Sequence, residues 1–218
     1  MTEIKRIAIL GGTGKEGTGL ALRWAHAGYE VIIGSRQMEK AQNSASELNE
    51  KLGIETVVGM ENSDAVKAAD VCILTVVQAA HESALTGLKD VLRGKILVDA
   101  TVRIEFPKAD PPKPPSAGRI AQDILGEGVK VVAAFQNIPA KALHKNLGEE
   151  LGIDVLVCSD DIDAVHVVSG LIEAIGMGAF YAGNLDKAIV VEGLTALLVS
   201  MNKFYKGNGS IRIEGIEK

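Results

Sequence analysis

Cysteine, proline and aromatic residues are all scarce in this 218-residue chain, which has two Cys, six Pro, four Phe, three Tyr and one Trp. Cys72 in DVCILTV and Cys158 in DVLVCS exclude a disulfide-rich scaffold. Their apolar surroundings make them core thiols of a reducing, cytoplasmic protein. No uncharged apolar run approaches the roughly 18 to 20 residues of a membrane-spanning helix, so no membrane is expected. A basic excess is missing too: 23 Lys+Arg face 28 Asp+Glu, a formal net charge of -5. That leaves no electrostatic footprint for nucleic acid. The start, MTEIKRIAILGG, passes from a short charged lead straight into a strand and a glycine turn, without a small-residue cleavage site. No signal peptide is expected there. What is present is a core-forming composition, 47% hydrophobic and 23% charged, of a length that suits one domain or one domain with a small cap.

Short apolar runs recur as IAIL (7–10), EVIIG (30–34), TVVG (56–59), VCILTV (71–76), KILVDA (95–100), KVVAAF (130–135) and DVLVC (154–158). Between them lie helically spaced segments such as GLALRWAHAG (19–28) and RQMEKAQNSASELNEKLG (36–53). Runs apolar throughout are buried on both faces of a parallel sheet, and their alternation with helices predicts an α/β doubly wound (Rossmann) fold. After residue 160 the pattern turns mainly helical, over 161–176 and 185–207, with SIRIE (210–214) alternating like a short strand. The expected organisation is a Rossmann domain over 1–160 and a small C-terminal cap or dimerisation portion over 161–218. Five of the six prolines fall in FPKADPPKPPSAG (106–118), a loop after KILVDA. It reads either as a stiff connector or as a lid or dimer contact beside the site.

The first strand runs into Gly11-Gly12-Thr13-Gly14-Lys15-Glu16-Gly17, which contains Gly12-x-Gly14-x-x-Gly17. In such a loop the first glycine permits the tight turn and the second lets backbone approach a pyrophosphate. The third lets the helix settle on the strand, and the helix N-terminal amides face the phosphates. Placed after a first strand and before a helix, the motif predicts a dinucleotide site. The second strand ends Gly34-Ser35-Arg36, with Lys40 one helical turn on, where an NAD site usually carries Asp or Glu. A hydroxyl, a guanidinium and an ammonium suit a 2′-phosphate instead, which selects NADP(H).

Catalytic side chains are harder to find. His26 reads as a surface or packing residue and His166 as a helix-packing residue, with His81 a candidate lining residue after the fourth strand. His144, beside Lys141 and Lys145, is either an anion contact or part of a solvated face. There is no HExxH, no CxxC and no nucleophile elbow, so neither a metal site nor serine-hydrolase chemistry is expected. Hydride transfer between two bound cofactors needs orientation more than a protein base, whereas alcohol dehydrogenation needs a general base. No catalytic side chain is assigned.

These residues resemble the NADPH-dependent reductases of coenzyme F420, also called F420H2:NADP+ oxidoreductases. The resemblance rests on AILGGTGKEGTGLALRWAHAGYEVIIGSR, on VCSDD at 157–161 and on LTALLVSMNKFYKGNGSIRIEGI near the C-terminus. It implies reversible hydride transfer between nicotinamide C4 and C5 of the 8-hydroxy-5-deazaflavin, in a homodimer. It places Thr13 and the amides of Gly14, Lys15 and Glu16 on the phosphates, and Ser35, Arg36 and Lys40 on the 2′-phosphate. Val76, Val77, Gln78 and Ala140 would border the nicotinamide half, and Gln136, Asn137 and Ile138 the pocket where the rings stack. The chain departs from the family pattern at Gln136, where members carry His, and at Val77-Gln78-Ala79-Ala80, where they carry a Pro-Trp-Glu-His type loop. The other readings are an NADPH-dependent reductase of another small acceptor (an imine, a quinone or a ferric complex) and a non-catalytic NADP sensor.

Overall fold

The computed structural model describes residues 4–104 and 109–216. The first apolar run forms β1, Arg6–Leu10. Its side chains alternate between the sheet faces, so Ile7 and Ile9 enter one core cluster while Ala8 and Leu10 enter another. Six further strands match the apolar runs: β2 Glu30–Ser35, β3 Val57–Glu61, β4 Val71–Leu74, β5 Ile96–Asp99, β6 Lys130–Ala133 and β7 Asp154–Ser159. A last strand, β8 Gly178–Gly183, is absent from the sequence reading. Its sequence, GAFYAG, begins and ends in glycine and leaves Tyr181 exposed, so it lacks the unbroken apolar signature of the others.

The eight strands form one sheet in the order β3-β2-β1-β4-β5-β6-β7-β8. Neighbours run parallel except β6 and β7, which pair antiparallel. The order reverses between β1 and β4, and the crevice at that switch point is where a doubly wound sheet holds its ligand. The helices are α1 Lys15–His26, α2 Met38–Leu52, α3 Asn62–Ala68, α4 Gln78–Leu88, α5 Ala117–Leu125, α6 Ile162–Glu173 and α7 Ala188–Tyr205. Buried apolar residues of α1, α2 and α6 join the cluster on one face; those of α3, α4 and α5, with Ala188 and Val191 of α7, join the cluster on the other. With few aromatics available, the first cluster centres on fully buried Trp24, edge-on to Phe135 at 5.8 Å between ring centroids. The Trp24 indole N–H donates to the Leu171 carbonyl at 2.9 Å.

The C-terminal stretch is mainly helical, as expected, with β8 extending the common sheet. Leu185–Tyr205 has the length and apolar composition of a membrane span. Glu192 stands inside it, fully buried, and accepts the amides of Arg103 at 3.0 Å and Ala117 at 2.7 Å. Residues 210–214 do not form a strand. The sides of β7 are taken by β6 and β8; the tail is held instead by the Asp154 amide, which donates to the Ile211 carbonyl at 3.0 Å, and by Ser210 Oγ, which donates to the Asn137 carbonyl at 2.9 Å. In the proline-rich loop, residues 106–108 lie outside the described residues, and 109–116 are irregular. Ser116 caps α5 by accepting from the Arg119 amide at 3.1 Å and donates to the Leu185 carbonyl at 3.1 Å.

Arg23, buried in α1, ties together segments far apart in sequence. Its guanidinium donates to the carbonyls of Leu143, Ile175, Lys145 and Asn146. Burial lowers its pKa. Replacing Arg23 by Met leaves these acceptors unsatisfied, a loss of about 3 kcal/mol. The expected result in thermal unfolding is a Tm lower by roughly 6–12 °C, and an unchanged Tm would contradict this role.

Candidate functional site

The site begins where β1 turns into α1. Gly11 is left-handed, with φ +67°, and the Gly12 amide donates to the Gly34 carbonyl at 2.9 Å. A Cβ on Gly12 would lie 2.5 Å from the Ile9 carbonyl oxygen, and one on Gly17 would lie 2.6 Å from Gly12 Cα. A Cβ on Gly14 would meet nothing within 4 Å. The first and third glycines thus serve close backbone approach, while the second faces open space. Gly14 caps α1 with no side-chain hydrogen bond, leaving the first amides of the helix available to an anion.

The end of β2 supplies the second part. Ser35 is buried, and its Oγ accepts the Gln37 amide at 3.2 Å, leaving the hydroxyl proton free to donate elsewhere. Arg36 is exposed before α2 begins, and Lys40 is exposed in its first turn. Thr13, Gly14, Ser35, Arg36, Lys40, Val76 and Val77 all line one cleft of about 1020 Å³. That cleft joins the glycine loop, the basic corner and the segment after β4. Val77 is an apolar residue left 73% exposed at its wall, directly before α4.

Asn62 is a residue that the motifs do not reveal. It opens α3 directly after β3, and its Oδ1 accepts the Gly11 amide at 3.2 Å. A Cβ on Gly34 would come within 2.7 Å of the same oxygen, so one amide braces both the glycine loop and the basic corner. The available signal was a polar residue at the carboxyl end of a strand, which by itself names no partner.

Other predicted residues stand apart from this cleft. Lys15, Glu16, Gln78, Gln136, Asn137, Ile138 and Ala140 are not on its wall. Phe135 takes a left-handed φ of +76°, rare for a bulky residue, where the chain leaves β6 for Gln136. Gln136 is buried; its Nε2 donates to the Asp99 carbonyl at 2.8 Å, and its own carbonyl accepts from Thr195 Oγ1 at 2.8 Å. Its Oε1 has no hydrogen-bond partner. The Asn137 side chain braces β7, donating to the Asp154 carbonyl at 2.7 Å and accepting the Leu156 amide at 3.3 Å. Ile138 packs half-buried against the core on the α1 face.

The histidines resolve differently from one another. His81 is buried, with Nε2 2.6 Å from Asp99 Oδ2, while Asp99 Oδ1 accepts the Thr101 amide at 2.9 Å. Burial works against the imidazolium, but the hydrogen bond and charge of Asp99, with Glu192 and Glu82 behind it, raise the His81 pKa on balance. His144 holds the head of α1, its Nε2 2.8 Å from the Lys15 carbonyl. His26 and His166 are exposed, so the expectation that His166 packs within its helix is corrected: its place on α6 faces solvent. Cys72 and Cys158 are buried free thiols, each pushed up to about 12 by burial.

Residues 6–103 match the family described as NADP oxidoreductase, coenzyme F420-dependent. The F420-dependent NADP reductase of Methanocaldococcus jannaschii is 42% identical over 97% of this chain and 99% of its own length. That of Methanothermobacter thermautotrophicus is 41% identical over 98% and 96%. A crystal structure of a proposed F420-dependent NADP reductase from Arthrobacter sp. FB24 has a TM-score of 0.82 at 24% identity, covering 98% of this chain and all of that one. At that identity it shows the fold. Glycine loop, basic corner, doubly wound sheet and near full-length similarity agree, and the chain belongs to the F420-dependent NADP reductase family.

Proposed function

We propose that this chain carries out the reaction its family is named for, hydride transfer between nicotinamide C4 of NADP(H) and C5 of the deazaflavin coenzyme F420. The observation that carries the reading is the single cleft shared by Thr13 and Gly14, by Ser35, Arg36 and Lys40, and by Val76 and Val77. Its length and chemistry suit a dinucleotide laid from a basic corner, across helix amides, to an apolar wall. The unoccupied amides at the head of α1, including those of Lys15 and Glu16, take the pyrophosphate. Ser35, Arg36 and Lys40 take the 2′-phosphate. Val76, Val77, Gln78 and Ala140 border the nicotinamide, and Gln136, Asn137 and Ile138 border the acceptor. Among these, Asn137 is held in place by its side chain on β7 and by its carbonyl, which accepts from Ser210 Oγ at 2.9 Å.

Two flat rings face to face exchange a hydride once they are aligned and water is excluded, and the protein supplies that alignment. Residues 1–160 hold NADP(H) in this reading, and 161–218 close the acceptor side and pair with a second copy. The pairing rests on α7, which leaves Val190, Leu197, Met201, Phe204 and Tyr205 more than half exposed. Such a patch on a folded chain marks an interaction surface. The two free core thiols suit a reducing cytoplasm.

Removing the guanidinium in Arg36→Ala costs on the order of 1.5–3 kcal/mol of NADPH binding. Steady-state kinetics are expected to show KM for NADPH raised roughly ten- to hundredfold with kcat nearly unchanged, because the 2′-phosphate is remote from the chemistry. Unchanged KM would refute the phosphate assignment. In sedimentation equilibrium the protein is expected at twice the 22.9 kDa of one chain. A single-chain mass at micromolar concentration would remove the dimer from the account.

A further inference from the structure

A carboxamide has an accepting end and a donating end, and the fold uses only the accepting end of Asn62. Its Oδ1 takes the Gly11 amide at 3.2 Å. A backbone N–H bonds to the oxygen and not to the NH2 group, so this contact settles which end of the planar group faces the glycine loop. Nδ2 and its two protons have no hydrogen-bond partner among the described residues. Nδ2 is not sealed in the core either: among the described residues, the buried side-chain polar atom left without a partner is Gln136 Oε1. Asn62 is half-buried and lines the same cleft as the glycine loop and the basic corner, and its donating end is open to that cleft.

The sheet register says which part of a nucleotide lies there. Ser35 of β2 pairs with Glu61 of β3, so Asn62 stands one residue past that pair, beside Arg36. Toward β1, a Cβ on Gly34 would meet Asn62 Oδ1 at 2.7 Å, and the Gly11 amide is bound to the same oxygen. Asn62 is therefore placed between the loop proposed for the pyrophosphate and the corner proposed for the 2′-phosphate. The adenosine ribose joins those two groups, with its 2′ substituent on the corner side. Arg36 and Lys40 have no carboxylate partner among the described residues. Glu61 is exposed on the same wall and brings a negative charge to it. Preference for a phosphate on such a wall depends on donors held in fixed directions, and the bond from Gly11 fixes the direction of Nδ2.

We infer that Asn62 is a specificity-determining residue: held by Gly11 through Oδ1, it presents Nδ2 to the 2′-phosphate of NADP(H). The inference rests on the nucleotide reading above. Arg36 and Lys40 supply charge on long side chains, whereas Asn62 supplies a short neutral donor whose orientation is set by the backbone. A carboxylate at this place keeps the bond to Gly11 and loses the donor. It then accepts from a ribose 2′-hydroxyl, the role of the acidic residue in an NAD site, and repels a 2′-phosphate.

The test is calorimetric binding of NADP+ and NAD+ to the wild-type protein, Asn62→Asp and Asn62→Ala. Asn62→Asp is expected to hold NAD+ within about threefold of wild type and to weaken NADP+ more than about a hundredfold. Most of that loss is expected to persist at high salt, where repulsion through solvent fades. In Asn62→Ala both nucleotides lose the bracing of the loop. NADP+ loses roughly ten- to hundredfold more than NAD+, the worth of a hydrogen bond to a charged group. A brace that never touches the nucleotide gives another pattern, with Asn62→Ala weakening both nucleotides by one factor and all three proteins sharing one preference for NADP+. That result overturns the inference and leaves the nucleotide site standing. If Asn62→Ala does not fold, Asn62→Asp decides, since an unchanged preference there, or a loss abolished by salt, overturns the inference. Wild-type protein that binds the two nucleotides equally overturns the 2′-phosphate corner as well, and failure to bind either overturns the nucleotide reading itself.

Discussion

A Cβ on Gly17 would lie 2.6 Å from the Gly12 Cα, so the chain turns from β1 into α1 only while both positions stay bare. That contact of backbone on backbone fixes where the amides of α1 point. It also fixes the neighbouring strand end, because the Gly12 amide is bound to Gly34 and Asn62 meets both the loop and Gly34. The glycine loop and the basic corner are therefore one unit. Ser35, Arg36 and Lys40 are placed by the same backbone contacts that shape the glycine loop.

The segment after Pro139 is anchored to the same helix. Arg23 binds the carbonyls of Leu143, Lys145 and Asn146, and a Cβ on Gly19 would come within 2.6 Å of the Leu143 Cβ. The segment that follows Pro139 is thus drawn onto α1, and His144 closes on the Lys15 carbonyl. Asp99 is the corresponding centre on the sheet: His81, Thr101 and Gln136 all bind it through side chain or backbone. The cleft and the segment after β6 are in this way referred to a common frame, as the proposed hydride transfer between two flat rings requires.

The sequence was most informative where function depends on local spacing. Thr13 and Gly14 lie in one turn, and Ser35, Arg36 and Lys40 in one strand-to-helix junction, so their joint placement on a cleft followed from short-range geometry. The doubly wound sheet was legible because apolar runs buried on both faces carry a strong signal. β8 was not, because GAFYAG gains its strand character from pairing with β7. Neither was the pair of His81 and Asp99, nor the role of Glu192, since each partner is distant along the chain and only the fold brings it near. Asn137 shows the converse: the family resemblance pointed to the pocket, while a long-range need for donors and acceptors at β7 took its side chain.

The most direct measurement of the central claim is isotopic. Purified protein is mixed with oxidised F420 and NADPH bearing deuterium at each of the two C4 positions in turn, and the reduced deazaflavin is recovered for mass spectrometry. The account predicts that one of the two labelled forms delivers its deuterium to C5 as the deazaflavin absorbance is lost, with NADH a poor donor. Bound NADPH with neither label reaching F420 would contradict it.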